Sequence, residues 1–469
     1  MKVIKFGGSS LADATHFNDV IKVLQMDASR RVVVVSAPGK CATDDEKVTD
    51  LLIEYARSHD KAQKEIGERI INRYQQIATA FHITAAQFDP LAEQILALPT
   101  ASFHGPAFRM ATFKAHGEKL NAQLLALILN AKGMPARYVD PHELGLIATQ
   151  EPNNATVLTQ TYTHLAVARH QLMAERDLWV VPGFFAYTLS GQLVTFSRGG
   201  SDITGAILAR GLHASEYENF TDVDSIYAAN PNIVTNPAPI SKMSYVEMRE
   251  LSYAGFSVFH DEAIIPAIEG QVPICVKNTN HPSAPGTLIV PTSQSQPKRV
   301  ITGVASSKRF AALYLHRYLL NREVGFTLKL LKILFRYHIS YEHMPSGIDD
   351  LTIIFDRNQI PSDVLPHLLA DIKATLQPDR LQWIDDYAIL MVVGEGMRNQ
   401  VGVIDRILHP LATHHIGVQM INQGASRISI MIGVREAQAD DAVRLIYNDF
   451  FNQPVALPQR QPAQEVTHG

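Results

Sequence analysis

Two short runs hold the residue types that phosphate and carboxylate chemistry needs. Phe196-Ser197-Arg198-Gly199-Gly200-Ser201-Asp202 brings a guanidinium, paired glycines, hydroxyls and a carboxylate into one stretch. Glycines let a backbone approach a ligand closely, and the free N–H groups of a helix start favour an anion. The planar arginine fork suits a carboxylate or a phosphate. Lys5-Phe6-Gly7-Gly8-Ser9 repeats the device near the N-terminus, with Lys5 as a point charge placed to reach a phosphate. The lysine precedes its glycines and no Gly-Lys-Ser/Thr follows, so this is not the Walker pattern. A third candidate is His116-Gly117-Glu118. A glycine inside a helical pattern costs about 1 kcal/mol against alanine, which signals a close approach beside the carboxylate. Taken singly, each run has a plain structural alternative: a tight connection, a solvated strand-end lysine, a solvated helix carboxylate.

The elements that must position these residues alternate along the chain. Lys2–Phe6 and the β-branched run Arg31–Ser36 read as strands, the second continuous enough to be buried on both faces of a parallel sheet. Further strands are predicted at 178–187, 192–196 and 217–220, with helices over much of 44–100, over 109–130, and from Ile203 to Gly211. Asp13 or Thr15 caps the first helix. The polar turns Gly7-Gly8, Ser36, Gly183 and Gly199-Gly200 fall at strand ends, where ligands gather in open α/β sheets. To about residue 290 the alternation specifies an α/β sandwich with a mainly parallel sheet.

Residues 291–300 have linker composition. Beyond them lies an internal repeat. His338-Ile339 recurs as His415-Ile416, Gly347 as Gly424, and Leu330, Leu331 and Leu334 as Ile407, Leu408 and Leu411, all at one constant offset. Each unit reads as a helix followed by two alternating strands, giving two small α+β modules. The Pro/Gln-rich tail from Gln453 is expected to be disordered.

Composition narrows the class. At 469 residues, two or three domains are expected. The chain is 46% hydrophobic and 19% charged, which argues against extensive disorder. A net charge of −4 makes no electrostatic case for nucleic acid or an anionic membrane. Cys41 and Cys275 are too few for a disulfide framework and fit a reducing compartment. Neither a signal-peptide pattern nor an apolar run of about 20 residues is present, so a cytoplasmic protein is expected.

Together these residues resemble the aspartate kinases over nearly the full length. Lys5-Phe6-Gly7-Gly8-Ser9-Ser10 stands where that family has Lys-Phe-Gly-Gly-Thr-Ser. Phe196–Asp202, Gly117-Glu118, Thr221-Asp222-Val223-Asp224 and the C-terminal repeats match in the same order. The resemblance is to the monofunctional form, without an appended homoserine dehydrogenase. It implies an amino-acid-kinase α/β/α sandwich over 1–290, a linker over 291–300, ACT modules over 301–378 and 379–452, and a tail over 453–469. The implied reaction moves the γ-phosphoryl group of ATP to the β-carboxylate of L-aspartate, giving 4-phospho-L-aspartate. That is the first step toward lysine, threonine and methionine, under feedback through the ACT modules. Such chemistry needs in-line positioning of two anions and charge neutralisation more than covalent help.

The resemblance also assigns roles. Lys5 contacts the transferring phosphate, with Gly7, Gly8 and Ser9 donating hydrogen bonds; Asp202, the second catalytic candidate, stands on the aspartate side with Arg198 and Glu118. Arg198 clamps the aspartate α-carboxylate and Glu118 faces its ammonium group. Ser36, Thr49, Phe184, Gly199, Gly200 and Ser201 line the aspartate site. Thr221, Asp222, Tyr227, Asn232 and Ser257 fall where the nucleotide is held. ATP is the implied co-substrate, with Mg²⁺ held mainly by phosphate oxygens and water and by no protein cage. Two positions depart from the family: Asn232 stands where an arginine is usual and Ser257 where a lysine is common, with Lys242 and Lys277 as alternative cations. Phe326, Ser346 and Asp349, with Asp350 adjacent, mark a candidate effector site that is also readable as a polar turn. Lysine is the favoured effector because an acidic pair suits a cationic side chain; threonine is the alternative. ACT modules in this family pair between chains, which implies a homodimer or larger assembly, with no nucleic-acid or membrane partner. A related carboxylate kinase and a catalytically weak amino-acid sensor are the competing readings.

Overall fold

The structure, a computed structural model, describes residues 1–41, 45–256 and 263–452. The described chain divides into two compact units: residues 1–226, 239–248 and the described part of 257–295 form the first, and 227–238, 249–256 and 296–452 form the second.

The first unit contains strands β1 (Lys2–Phe6), β2 (Arg30–Val35), β3 (Ala136–Tyr138), β4 (Leu178–Pro182), β5 (Phe185–Tyr187), β6 (Leu193–Thr195), β7 (Glu216–Thr221), β8 (Lys242–Ser244), β9 (Ile274–Asn278) and β10 (Thr287–Val290). Eight of them form one sheet in the order β3-β4-β2-β1-β7-β9-β10-β8. Neighbours from β3 to β9 are parallel, and β10 turns antiparallel against β9. Along the chain the helices are α1 (Ala14–Gln25), α2 (Val48–Arg57), α3 (Asp60–Ala80), α4 (Ala85–Ala97), α5 (Pro106–Ala131), α6 (Gln160–Ala174), α7 (Gly200–Gly211), α8 (Tyr245–Tyr253), which belongs to the first unit only up to Met248, and α9 (Ile265–Glu269). Asp13 caps α1, its carboxylate accepting from the N–H groups of Thr15 and His16 at 2.9 and 3.1 Å.

Strand alternation decides which helices each residue meets. Ile4, Phe6, Val33 and Val35 join the core built by α1 to α5. Lys5 alternates to the opposite face, where α7 packs on β1 and β2. One expectation needs correction. The strand before Phe196 is not part of the large sheet: β6 pairs antiparallel with β5 in a separate two-stranded ribbon. The cause is local. Phe184 sits in the left-handed region at φ +77°, which turns the chain out of the sheet after β4.

The second unit has strands β11 (Gly303–His316), β12 (Asp350–Asp356), β13 (Arg380–Val393), β14 (Met420–Asn422) and β15 (Ser429–Val434), with helices α10 (Phe326–Arg336), α11 (Val364–Leu376), α12 (Val403–Thr413) and α13 (Ala439–Phe451). The two repeats share a single antiparallel sheet, β12-β11-β13-β15-β14. Long β11 and β13 pair from Gly303–Val393 to His316–Arg380. The repeat extends to the backbone: α10 and α12 both start after a left-handed glycine, Gly325 at φ +81° and Gly402 at φ +84°. Past their ends, His338 and His415 are left-handed at φ 54° and 57°. The strand prediction holds fully only in the second repeat, where β14 pairs with β15. In the first, residues 343–346 make only the bridges His343–Ile354 and Ser346–Leu351. Pro345 has no N–H to offer a ladder there. Helices α11 and α13 complete the repeats. The Pro/Gln-rich tail lies outside the described residues.

Candidate active site

The ends of β1 and β2 are held together backbone to backbone. The Gly39 N–H donates to the Gly8 carbonyl at 2.9 Å. A Cβ on Gly8 would lie 2.8 Å from the Ala37 carbonyl oxygen, and one on Gly39 would lie 2.7 Å from the Gly8 carbonyl carbon. These glycines are required by a close approach that no side chain fits. The Gly7 N–H is engaged by the Phe220 carbonyl at 3.3 Å, so Gly8 and Ser9 are the members of this turn that face the cleft.

Helix α5 packs on the β2 turn through Gly117, where a Cβ would come within 2.7 Å of Ala37 Cβ. Asn121 Nδ2 donates to the Ser36 carbonyl at 2.7 Å, and the Tyr74 hydroxyl donates to the Gly117 carbonyl at 2.7 Å. This close seating buries Glu118. Its Oε2 has no hydrogen-bond partner among the described residues. Burial pushes its carboxyl up to about 8, against the opposing pull of the Ala37 N–H and the Lys114 charge.

The N-terminus of α7 interlocks with the bend after β4. Gly199, left-handed at φ 74°, precedes the helix. A Cβ on Gly200 would lie 2.4 Å from Phe184 Cδ2, and one on Gly183 would lie 2.6 Å from Ser201 Cβ. The Phe184 N–H donates to Thr204 Oγ1 at 3.0 Å. In the first turn of the helix, Asp202 Oδ1 lies 2.6 Å from Lys5 Nζ. Asn219 Nδ2 donates to the same oxygen at 2.7 Å. Arg198 is exposed, and no described residue forms an ion pair with its guanidinium.

These groups surround a cleft of about 940 Å³ within the first unit. Lys5, Gly8, Ser9, Ser36, Thr49, Glu118, Phe184, Arg198, Gly199, Gly200, Ser201 and Asp202 all line it. Lys40, Lys47, Asp50, Lys114 and Asn153 line it as well and were not foreseen. Lys114 had a signal, standing four residues before Glu118 on one helix face. Asn219 had none, because it meets Lys5 only through the β1–β7 register, in which the two are paired. Among the described residues no group of three or more His, Cys, Asp and Glu side chains is arranged to hold a metal.

The expected nucleotide residues divide. Thr221 ends β7, and its hydroxyl donates to Asp222 Oδ1 at 3.1 Å. The loop is tied by Asn278 Nδ2, which donates to Asp224 Oδ1 at 2.7 Å; this bond and His281 hold the Asp224 carboxyl below its ordinary value. Lys277 is level with Phe220 in the sheet, its ammonium 6.0 Å from that ring, while Lys242 is exposed at the start of edge strand β8. Tyr227 and Asn232 belong to the second unit. Ser257 lies outside the described residues. At the candidate effector site, Phe326 is 2% exposed in the core of the second unit, so its ring is not available to a ligand. Ser346 is exposed. Asp349 Oδ1 accepts the Leu319 N–H at 2.7 Å. Asp350 accepts from Tyr314 and His316 at 2.6 and 2.7 Å.

Comparison with known proteins resolves the chemistry. Residues 1–278 match the Amino acid kinase family, and residues 390–450 match the ACT domain. The chain is 44% identical over 454 residues to Aspartokinase 3 of Bacillus subtilis, covering 96% of this chain and 99% of that protein. The chain belongs to the amino acid kinase family, as an aspartate kinase. The crystal structure of Clostridium acetobutylicum aspartate kinase superimposes with a TM-score of 0.84 at 35% identity, covering 96% of this chain and all (100%) of that one. Escherichia coli aspartokinase III in complex with aspartate and ADP superimposes at 0.77 and 25% identity, with 96% and 100% covered. An aspartate kinase uses ATP to phosphorylate the β-carboxylate of L-aspartate. In this one an α/β/α catalytic fold is joined to ACT-type regulatory modules. No helix among the described residues is long and apolar enough to cross a membrane.

Proposed function

We propose that the cleft between the β1, β2 and α7 turns divides into a phosphoryl side and an aspartate side. Lys5, with the turn at Gly8 and Ser9, neutralises charge on the moving phosphoryl group; Asp202 and Asn219 fix the direction of its ammonium. Arg198 takes the α-carboxylate as a two-pronged donor. Glu118 takes the α-ammonium group. Ser36, Thr49, Phe184 and the α7 N-terminus bound the pocket, and Thr221 and Asp222 begin the nucleotide loop. Mg²⁺ arrives with ATP, coordinated by phosphate oxygens and water. The observation that carries this reading is the orphaned buried oxygen of Glu118, sharing one cleft with an unpaired arginine. A zwitterionic dicarboxylic acid supplies the complement of both.

The finer properties follow from the same resemblance. The chain acts in the cytoplasm and assembles as a homodimer or larger through its ACT modules. Lysine is its feedback effector, with threonine the alternative, acting through the ACT modules. The test is ADP release and hydroxamate trapping of the acyl phosphate by the purified chain with MgATP. L-Aspartate, L-glutamate and no acceptor are compared, each with and without lysine or threonine. Aspartate-dependent turnover is expected; a preference for glutamate, or release independent of acceptor, overturns the assignment.

A further inference from the structure

The cleft contains one half-buried cation that the assigned roles leave unused. Lys114 lies on α5 four residues before Glu118, with its ammonium 5.5 Å from the centroid of the Phe184 ring. No carboxylate among the described residues forms an ion pair with it. The other charges near Glu118 are committed or exposed. Lys5, from β1, is paired with Asp202 of α7 at 2.6 Å. Arg73, from α3, is paired with Asp45 at 2.6 Å and also donates to the Gly39 carbonyl. Lys119, next on the same helix, reaches Asp140 at 3.8 Å. Lys47 before α2, Asp50 in its first turn, and Arg198 before α7 are exposed, where water and salt screen them. The Tyr74 hydroxyl of α3 is spent on the Gly117 carbonyl, and the Ala37 N–H faces Glu118 from the β2 turn.

We infer that Lys114 is a positioning residue: its charge, held over the Phe184 ring one helical turn from Glu118, helps the Glu118 carboxyl give up its proton when the aspartate ammonium group arrives. This rests on the proposed role of Glu118. No protein donor satisfies Glu118 Oε2 among the described residues; the Ala37 and Glu118 backbone N–H groups support the ionised form, and the Lys114 charge adds to them. Burial also lowers the Lys114 ammonium below its ordinary value, with the Glu118 carboxylate opposing that fall. The two groups therefore favour each other's charged state across the pocket wall.

The test is the pH dependence of kcat/KM for aspartate at saturating MgATP from pH 6 to 9. Four proteins are compared: the parent, Lys114→Met, Lys114→Arg and Glu118→Gln. In the parent, kcat/KM should rise with pH as Glu118 ionises. Lys114→Met should move that rise upward by roughly one pH unit, the size expected for losing a nearby opposite charge. Lys114→Arg should restore it. A fall in kcat/KM of the same size at every pH in Lys114→Met, with the rise unmoved, makes Lys114 a direct substrate contact or a packing residue and overturns the inference. So does a Lys114→Arg protein that behaves like Lys114→Met. The Glu118→Gln protein separates the two claims: a rise that persists in it refutes the role of Glu118 itself. Should Lys114→Met fail to fold, Lys114→Gln gives the same comparison, with thermal unfolding of each variant confirming the fold.

Discussion

Replacing Glu118 by glutamine should make this protein more stable while making it a poorer enzyme, and the gain should depend on pH in a defined way. The Glu118 carboxyl titrates near 8 in the folded protein against an ordinary 4.5, because burial disfavours its charged form. The folded state therefore holds a proton that the unfolded state has released. Below pH 4.5 both states are protonated and the group is neutral to stability. As pH rises through this window, unfolding becomes more favourable by about 1.4 kcal/mol per unit. The cumulative cost is on the order of 3 kcal/mol at pH 7 and about 5 kcal/mol at pH 8, where it levels off. Glutamine keeps the shape and cannot ionise, so the cost disappears. The assay is thermal unfolding of parent and Glu118→Gln at half-unit steps from pH 5 to 8.5, followed through the catalytic-unit transition. The difference in midpoint should be near zero at pH 5 and grow to the order of 5–10 °C by pH 8. Saturating aspartate should narrow the gap from the parent's side, because its ammonium group compensates the carboxylate. A midpoint difference that stays constant across this range refutes the reasoning, since packing effects of the substitution carry no such slope.

The other contacts give sharper kinetic outcomes. Arg198→Ala should raise KM for aspartate roughly 100-fold through loss of a charge-assisted bidentate pair, leaving KM for ATP unchanged; an unchanged aspartate KM removes Arg198 from the substrate. Lys5→Met should lower kcat by on the order of 10²–10³ with little change in aspartate KM, and near-parent kcat ends its role at the phosphoryl group. Gly200→Ala forces a Cβ to within 2.4 Å of the Phe184 ring, whose backbone is already held by Thr204. It should cost about 1–3 kcal/mol of stability and raise aspartate KM by displacing Phe184; parent-like unfolding and KM together would contradict the interlock.

Features set by local sequence were legible, and those set by strand register were not. The repeat was visible because matching side chains reflect matching backbone: left-handed Gly325 and Gly402 start equivalent helices, and His338 and His415 end them. Glu118 and Arg198 stood out because an adjacent glycine marked a close approach, and Lys5 because a glycine pair follows two residues on. The β5–β6 ribbon escaped prediction because its apolar residues fit a buried strand equally well; the bend at Phe184 decides the pairing. Asn219 and Lys114 escaped for different reasons. One meets Lys5 only across a parallel pair far apart in sequence, and the other reads as an ordinary helix lysine until Glu118 is known to be buried. The acidic pair at 349–350 looked free in sequence, yet folding already employs Asp350 with Tyr314 and His316.

The arrangement of charge explains how such a site can prefer an amino acid to a simple diacid. An isolated buried charge is too costly to keep, so the free cleft holds Lys5 on Asp202 and leaves Glu118 protonated. Ionising Glu118 at pH 7 then costs only about 1.4 kcal/mol, the difference of one unit between pH and a titration point near 8. A charge-assisted hydrogen bond contributes about 1.5–3 kcal/mol, enough to exceed that cost when an ammonium group enters the pocket. On the proposed roles of Arg198 and Glu118, a dicarboxylate without the amine would meet the same arginine but leave Glu118 protonated and forgo that bond. On the proposed role of Glu118, selectivity on this side of the cleft follows from a carboxylate buried just deeply enough that the correct substrate, and no diacid, restores its charge.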